Sequence, residues 1–232
     1  MTYRHCLSLC PRSSGSSHST LVFDTLTRLP STPAQTAADV VRALGLISFV
    51  VASLVAGGTA FPLFALIVLG QLLPRYLALQ PTLDITIGVV LLTAGWSNPL
   101  DLYRMIPYWD LVMHFAANGL IAVVAYLLFV RLAVSGVRSS DALGSRLPIV
   151  AGILLTTTFG MAAGVVWEIG EWFGHTFIDT SIVVEYTDTI GDLAAGALGS
   201  LVAGGLLALQ ASHTRRRPTV APLGRSLLFY EE

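Results

Sequence analysis

Six apolar runs, each near the length that a helix needs to cross a lipid bilayer, constrain this chain more than any other feature of its sequence. They lie at about residues 40–57, 61–79, 83–97, 108–130, 148–173 and 189–210. Roughly 20 consecutive apolar residues rising 1.5 Å each cover the hydrocarbon core. Only 12% of the 232 residues are charged and 54% are hydrophobic, whereas soluble domains carry about 25% charged residues. The expected fold is therefore all-α: a polytopic membrane bundle of about six transmembrane helices over residues 39–212, not a soluble core. Residues 1–38, rich in Ser, Thr and Pro and lacking the apolar core of a signal peptide, read as a disordered polar tail. Residues 213–232 read as a second tail. Cys6 and Cys10 have no zinc-ligand spacing around them and read as incidental thiols.

Arginines set the expected orientation. All 13 basic residues are arginine. With six spans and an inside N-terminus, Arg4, Arg12, Arg28, Arg42, Arg75, Arg131, Arg138, Arg146, Arg215, Arg216, Arg217 and Arg225 fall on the cytoplasmic side, and only Arg104 falls outside. That asymmetry follows the positive-inside rule and places both termini in the cytoplasm. Trp96, Trp109, Trp167 and Trp172 then lie at the outer boundary, as an aromatic belt. No nucleic-acid motif is present, and the run 215-RRR-217 reads as an anchor attracted to anionic lipid.

Against this apolar background, carboxylates inside spans raise a functional question. In 162-AAGVVWEIGEWFGHTF-177, Glu168 and Glu171 are three residues apart and His175 follows four later, so the three share a helix face. Asp110 and His114 are four apart in the fourth run, and Asp188 and Asp192 repeat the spacing in the sixth. Asp110 to Arg131, Arg146 to Glu168 and Asp192 to Arg215 each cover about 22 residues, or roughly 33 Å of helix. Three acids on three helices thus share one depth near the outer edge of the hydrocarbon, with His114 a turn deeper and Glu171 and Asp188 a turn shallower.

Five carboxylates and a histidine at one level cannot all be charged, dry and unpaired, because desolvation and mutual repulsion both oppose it. A bound cation, shared protons, water from outside or partial pairing with Arg104 would relieve them. Asp110, His114, Glu168 and Asp192 form a donor set suited to a divalent Mn, Fe or Zn ion. Their histidine stands four residues after its acid, unlike the Glu-x-x-His pairs of di-iron bundles. His175, at the water boundary, reads as a solvated interface residue, and Asp101, Asp179 and Glu185 as members of the exposed outer loops. Gly160 with Gly164, and Ala195, Gly199 and Ala203 with Gly196, supply small-residue rows for close helix approach. Asn118, a turn beyond His114, extends the polar face or bonds to a neighbouring backbone.

The ordered series 110-DLVMH-114, 168-EIGEW-172 and 188-DTIGD-192 leading into 196-GALGSLVAG-204 resembles the YjdF-like family of small bacterial inner-membrane proteins and, more distantly, VanZ-like proteins. The likeness covers roughly residues 105–205. Relative to the VanZ-like pattern, Leu111 replaces a basic residue and the sixth run lacks an Asn. The resemblance implies a multi-pass membrane protein with a cell-envelope role, and carries the family's polar positions onto Asp110, His114, Glu168, Glu171, Asp188 and Asp192.

Three readings fit these residues. The cluster is an outward-facing divalent-cation or proton site serving envelope or lipid homeostasis or transport. Alternatively, it is a metal-dependent hydrolase centre acting on a lipid-linked small molecule of the envelope, with a carboxylate as general base. In the third, it is a polar staple in a structural or partner-binding membrane protein. No serine or cysteine nucleophile motif accompanies the acids.

Overall fold

The computed structural model describes residues 28–56, 60–136 and 149–215, which form seven helices. In chain order these are α1 (Pro33–Val55), α2 (Ala60–Tyr76), α3 (Pro81–Ser97), the short α4 (Leu102–Met105), α5 (Trp109–Gly136), α6 (Ile149–Phe177) and α7 (Tyr186–Arg215). Of these, α1, α5, α6 and α7 are long and apolar enough to cross a membrane. The 17-residue α2 and α3 are apolar but shorter, each roughly 25 Å long. A helical membrane bundle is therefore the architecture, with four full-length candidate spans and two short ones.

The first helix starts at Pro33, not near residue 40, so residues 33–38 are helical and not part of a polar tail. Local chemistry explains the earlier start. Thr32 is extended and its hydroxyl accepts the Gln35 amide N–H at 3.3 Å, Pro33 supplies a preset φ in the first turn, and the Gln35 side chain accepts the Ser31 N–H at 2.7 Å. This is a capping-box arrangement, displaced by one residue at its return bond. At the other end of the short pair, α2 closes in a Schellman turn. Leu79 N–H donates to the Pro74 carbonyl and Ala78 N–H to that of Arg75, with Ala78 itself left-handed at φ 52°. The turn delivers Pro81 directly to the start of α3.

Outward-facing side chains are strongly apolar. Val40, Leu44, Ile47, Val51 and Leu54 recur at helical spacing along α1 and are all at least two-fifths exposed. A stripe of this length faces lipid in a membrane protein and would be an aggregation surface in water. Thr156, Thr157 and Thr158, a polar run within apolar α6, each turn the hydroxyl back to the carbonyl four residues earlier, at 2.8 to 2.9 Å. Their polarity is satisfied within the helix.

Packing divides the helices into two trios. α1, α2 and α3 pack mutually, as do α5, α6 and α7, and α3 against α5 makes the principal join. At that join Leu77, Leu79, Ile87, Val123, Val124 and Leu127 form a buried apolar core. Trp109 Nε1 donates to Ser97 Oγ at 2.9 Å, tying the end of α3 to the start of α5. Trp96 Nε1 donates to Ser48 Oγ at 3.0 Å and its ring meets Phe64 edge-on. These two indoles are thus inter-helix staples and not simple members of a lipid-facing belt; half-exposed Trp172 is the outward-facing one.

The second trio approaches closely where side chains are smallest. A side chain at Gly199 would meet the Phe115 carbonyl, one at Gly160 would meet Ser200, and one at Gly196 would meet Asn118. The small-residue rows expected on α6 and α7 therefore face each other and α5. They seat buried Asn118 in a notch between Gly164 and Gly196. The expected tails beyond these helices, Arg138, Arg146 and the turn at Gly57-Gly58 lie outside the described residues.

Candidate functional site

The first turn of α5, the last third of α6 and the start of α7 meet at one end of the second trio. Spacing on α5 brings Asp110 and His114 to one face, and His114 Nε2 lies 3.4 Å from Asp110 Oδ1. From α7, Asp192 Oδ2 lies 3.8 Å from the same nitrogen. From α6, Glu168 and Glu171 bring carboxylate oxygens within 4.8 Å of a His114 ring nitrogen. Two donor sets result, Asp110–His114–Asp192 and His114–Glu168–Glu171, each with its ligand atoms mutually within 4.8 Å.

Burial sharpens the picture. Asp192 is 2% exposed, and its Oδ1 has no hydrogen-bond partner among the described residues. Glu168 Oε1 is also shut off from solvent and unpartnered. A buried charged oxygen with no donor carries its full desolvation cost. Contacts of 3.4 and 3.8 Å are longer than the roughly 2.7–3.2 Å of a well-formed N–H···O bond. They approach the separation of about 3.3 Å between ligand atoms that a tetrahedral ion sets with bonds of about 2.0–2.1 Å. The donors are thus spaced to share a small cation better than to bond one another.

Two of the contributing helices begin at the cluster, with Asp110 in the first turn of α5 and Asp188 in the first turn of α7. The positive ends of these helices favour acids there. Asp188 nonetheless joins neither donor set. It shares a face with Asp192, but it lies one turn nearer the helix end and is half-exposed.

Two expected partners lie elsewhere. Arg104 is 68% exposed and pairs weakly with Asp101 at 3.6 Å, so it does not neutralise the cluster. His175 is tied down, with Nδ1 2.7 Å from the Ile182 carbonyl, and it pins the α6–α7 connection instead of standing free in solvent. Asp179 caps the same connection by accepting the Ser181 N–H at 2.9 Å, which holds its carboxyl below the usual range. Tyr103 on α4, not singled out from the sequence, lies close enough to Asp110, Glu171 and Asp192 to feel their charge. Burial raises its phenol, so it stays protonated and donates to the Ala94 carbonyl at 3.2 Å.

A second polar cluster lies toward the opposite end of α3. Asp84 pairs with Arg42, Arg42 also pairs with Asp39, and Arg75 lies 3.2 Å from Asp39. Gln71, 2% exposed, donates to the Gly88 carbonyl at 3.1 Å, and Arg42 Nε donates to the Gln71 carbonyl. Sequence reasoning treated Arg42 and Asp84 as span boundaries. Their 42-residue separation hides the pairing, although a lone Arg and a lone Asp at the edges of apolar runs are the signal that could have prompted it.

A family model described as a predicted membrane protein (DUF2238) matches residues 35–213, from the first turn of α1 to the end of α7. No curated protein and no solved structure matches the chain. The match has no bearing on the VanZ-like likeness.

Proposed function

The chain belongs to the DUF2238 family of predicted membrane proteins, and on that premise we propose that it is a multi-pass bacterial inner-membrane protein holding a divalent cation in the α5–α7 trio. Asp110, His114, Asp192 and Glu168 are the ligands of this reading, with Glu171 beside them. The supporting observation is the convergence of Asp110, His114 and Asp192 at 3.4 and 3.8 Å around a buried carboxylate oxygen that has no partner. A mixed oxygen–nitrogen donor set suits Zn, Mn or Fe better than Mg or Ca.

In this reading all six apolar helices span the membrane, the termini are cytoplasmic, and the cluster opens outward. The arginine distribution is its support. Reporter fusions test the topology, and an external signal from a fusion after Arg138 would overturn it. A cation held there serves transport or envelope and lipid homeostasis. Half-buried Glu171 and Asp110, whose side chain is 38% exposed, give the site a side reachable from water.

Metal content decides the matter most directly. Protein purified in detergent and loaded with Zn²⁺ or Mn²⁺ should retain metal after desalting, and the His114→Ala/Glu168→Gln variant should not. Equal metal content in the two proteins, or none in the wild type, would sink the reading.

A further inference from the structure

Two donor sets overlap at a single residue, His114. Asp192 is buried at 2% exposure and its Oδ1 has no hydrogen-bond partner among the described residues, while Asp110 in the same set and Glu171 in the other are each half-buried. His114 belongs to both sets, Asp110 and Asp192 to one alone, and Glu168 and Glu171 to the other alone. The two sets also rest on different helix pairs, α5 with α7 and α5 with α6.

Resting on the cation site proposed above, we infer that the cluster is a two-position site: one divalent cation is held either by Asp110–His114–Asp192 or by His114–Glu168–Glu171, and it steps between them with His114 as the common ligand. Paired metal sites about 3.5–4 Å apart act as a clamp with both ions in place at once. Here the element common to both positions is a single imidazole, whose Nε2 faces Asp110 and Asp192, so two ions would have to crowd against one ring. Two dications so close repel four times as strongly as two unit charges. Because neither set supplies more than three protein ligands, each position leaves coordination open to water, which is what allows exchange between them.

The test is a titration of the full-length protein in detergent with Co²⁺, followed by calorimetry and by visible absorption. Wild type should bind one ion per chain. Asp192→Asn and Glu171→Gln should each still bind one ion, with affinity lowered by roughly 10–100-fold and with different absorption bands, because each retains a different donor set. The double variant should bind none. Two ions per wild-type chain would overturn the shared position. Loss of all binding in Asp192→Asn alone, with Glu171→Gln behaving as wild type, would equally overturn it in favour of one fixed site. If Asp192→Asn fails to run as a single species on size exclusion, Glu168→Gln/Glu171→Gln carries the test. It removes the His114–Glu168–Glu171 set and should leave one ion with the absorption band of Glu171→Gln, while complete loss in that variant overturns the proposal. Absence of binding in folded wild type would instead refute the cation site itself.

Discussion

Arg42 and Asp84 in the first trio are 12% and 9% exposed, and His114 and Asp192 in the second are 9% and 2% exposed. Burial is therefore nearly equal, yet the surroundings differ in kind. Around Arg42, each acid has a base: Asp84 and Asp39 face Arg42 and Arg75, and the Gln71 amide and carbonyl are both engaged. Around His114, four carboxylates converge on one imidazole, and two of their oxygens lack any partner. The first arrangement is closed and needs nothing more from its environment. On the proposed reading, a cation completes the second. The two clusters also lie toward opposite ends of α3, roughly 20 Å apart along that helix, so each can be perturbed without touching the other.

The largest effect should come from opening the closed cluster. Arg42→Ala leaves Asp84 buried without its base and should cost about 3–5 kcal/mol, read as a large fall in the thermal unfolding midpoint in detergent. An unfolding midpoint within a degree of wild type would break the contrast from this side. Next comes the effect of ligand. At a free Zn²⁺ concentration 100 times the Kd, wild type should gain about 2.7 kcal/mol by mass action, while His114→Ala should gain almost nothing. A smaller effect of opposite sign to Arg42→Ala separates the clusters most sharply. Asp192→Asn keeps the shape but removes a buried negative charge whose nearest base is the His114 nitrogen at 3.8 Å, so in chelator-treated protein it should stabilise by about 1–3 kcal/mol. Destabilisation of that size would mean that the second cluster is a staple like the first. The smallest change is expected away from both: Trp96→Phe loses only the bond to Ser48, about 0.5–1.5 kcal/mol, and should leave metal binding unchanged.

Spacing along one helix made much of the site legible. Asp110–His114 and Glu168–Glu171 share faces because of helical periodicity alone, and counting to flanking arginines placed three acids at one depth. What spacing could not reveal is which member of a pair turns inward. Asp188 and Asp192 are equivalent by periodicity, but the end of α7 exposes one and the contact with α5 buries the other. The Arg42–Asp84 pair escaped because it joins helices far apart in sequence, and each partner alone resembles an ordinary boundary residue. The bundle itself was legible from the apolar runs, although Thr32, Pro33 and Gln35 carried a start signal that hydropathy overlooks. Arg104 misled for a related reason: proximity in sequence to Asp110 suggested a counter-ion, and the turn at Asp101 directs it into solvent.

Gly199 stands seven residues from Asp192, two turns along α7, where it lets the helix rest against the Phe115 carbonyl. No chemistry passes through it, and a variant there would leave every proposed ligand intact. Yet even one methyl group at this point would lever α7 from α5 and widen the gap that Asp192 must close. A change there would act on the acids without touching them. In a saturation library of this chain, intolerance should therefore appear in two separate patches of α7: one at the acids, and one at the glycine seat that sets how far the acids can reach.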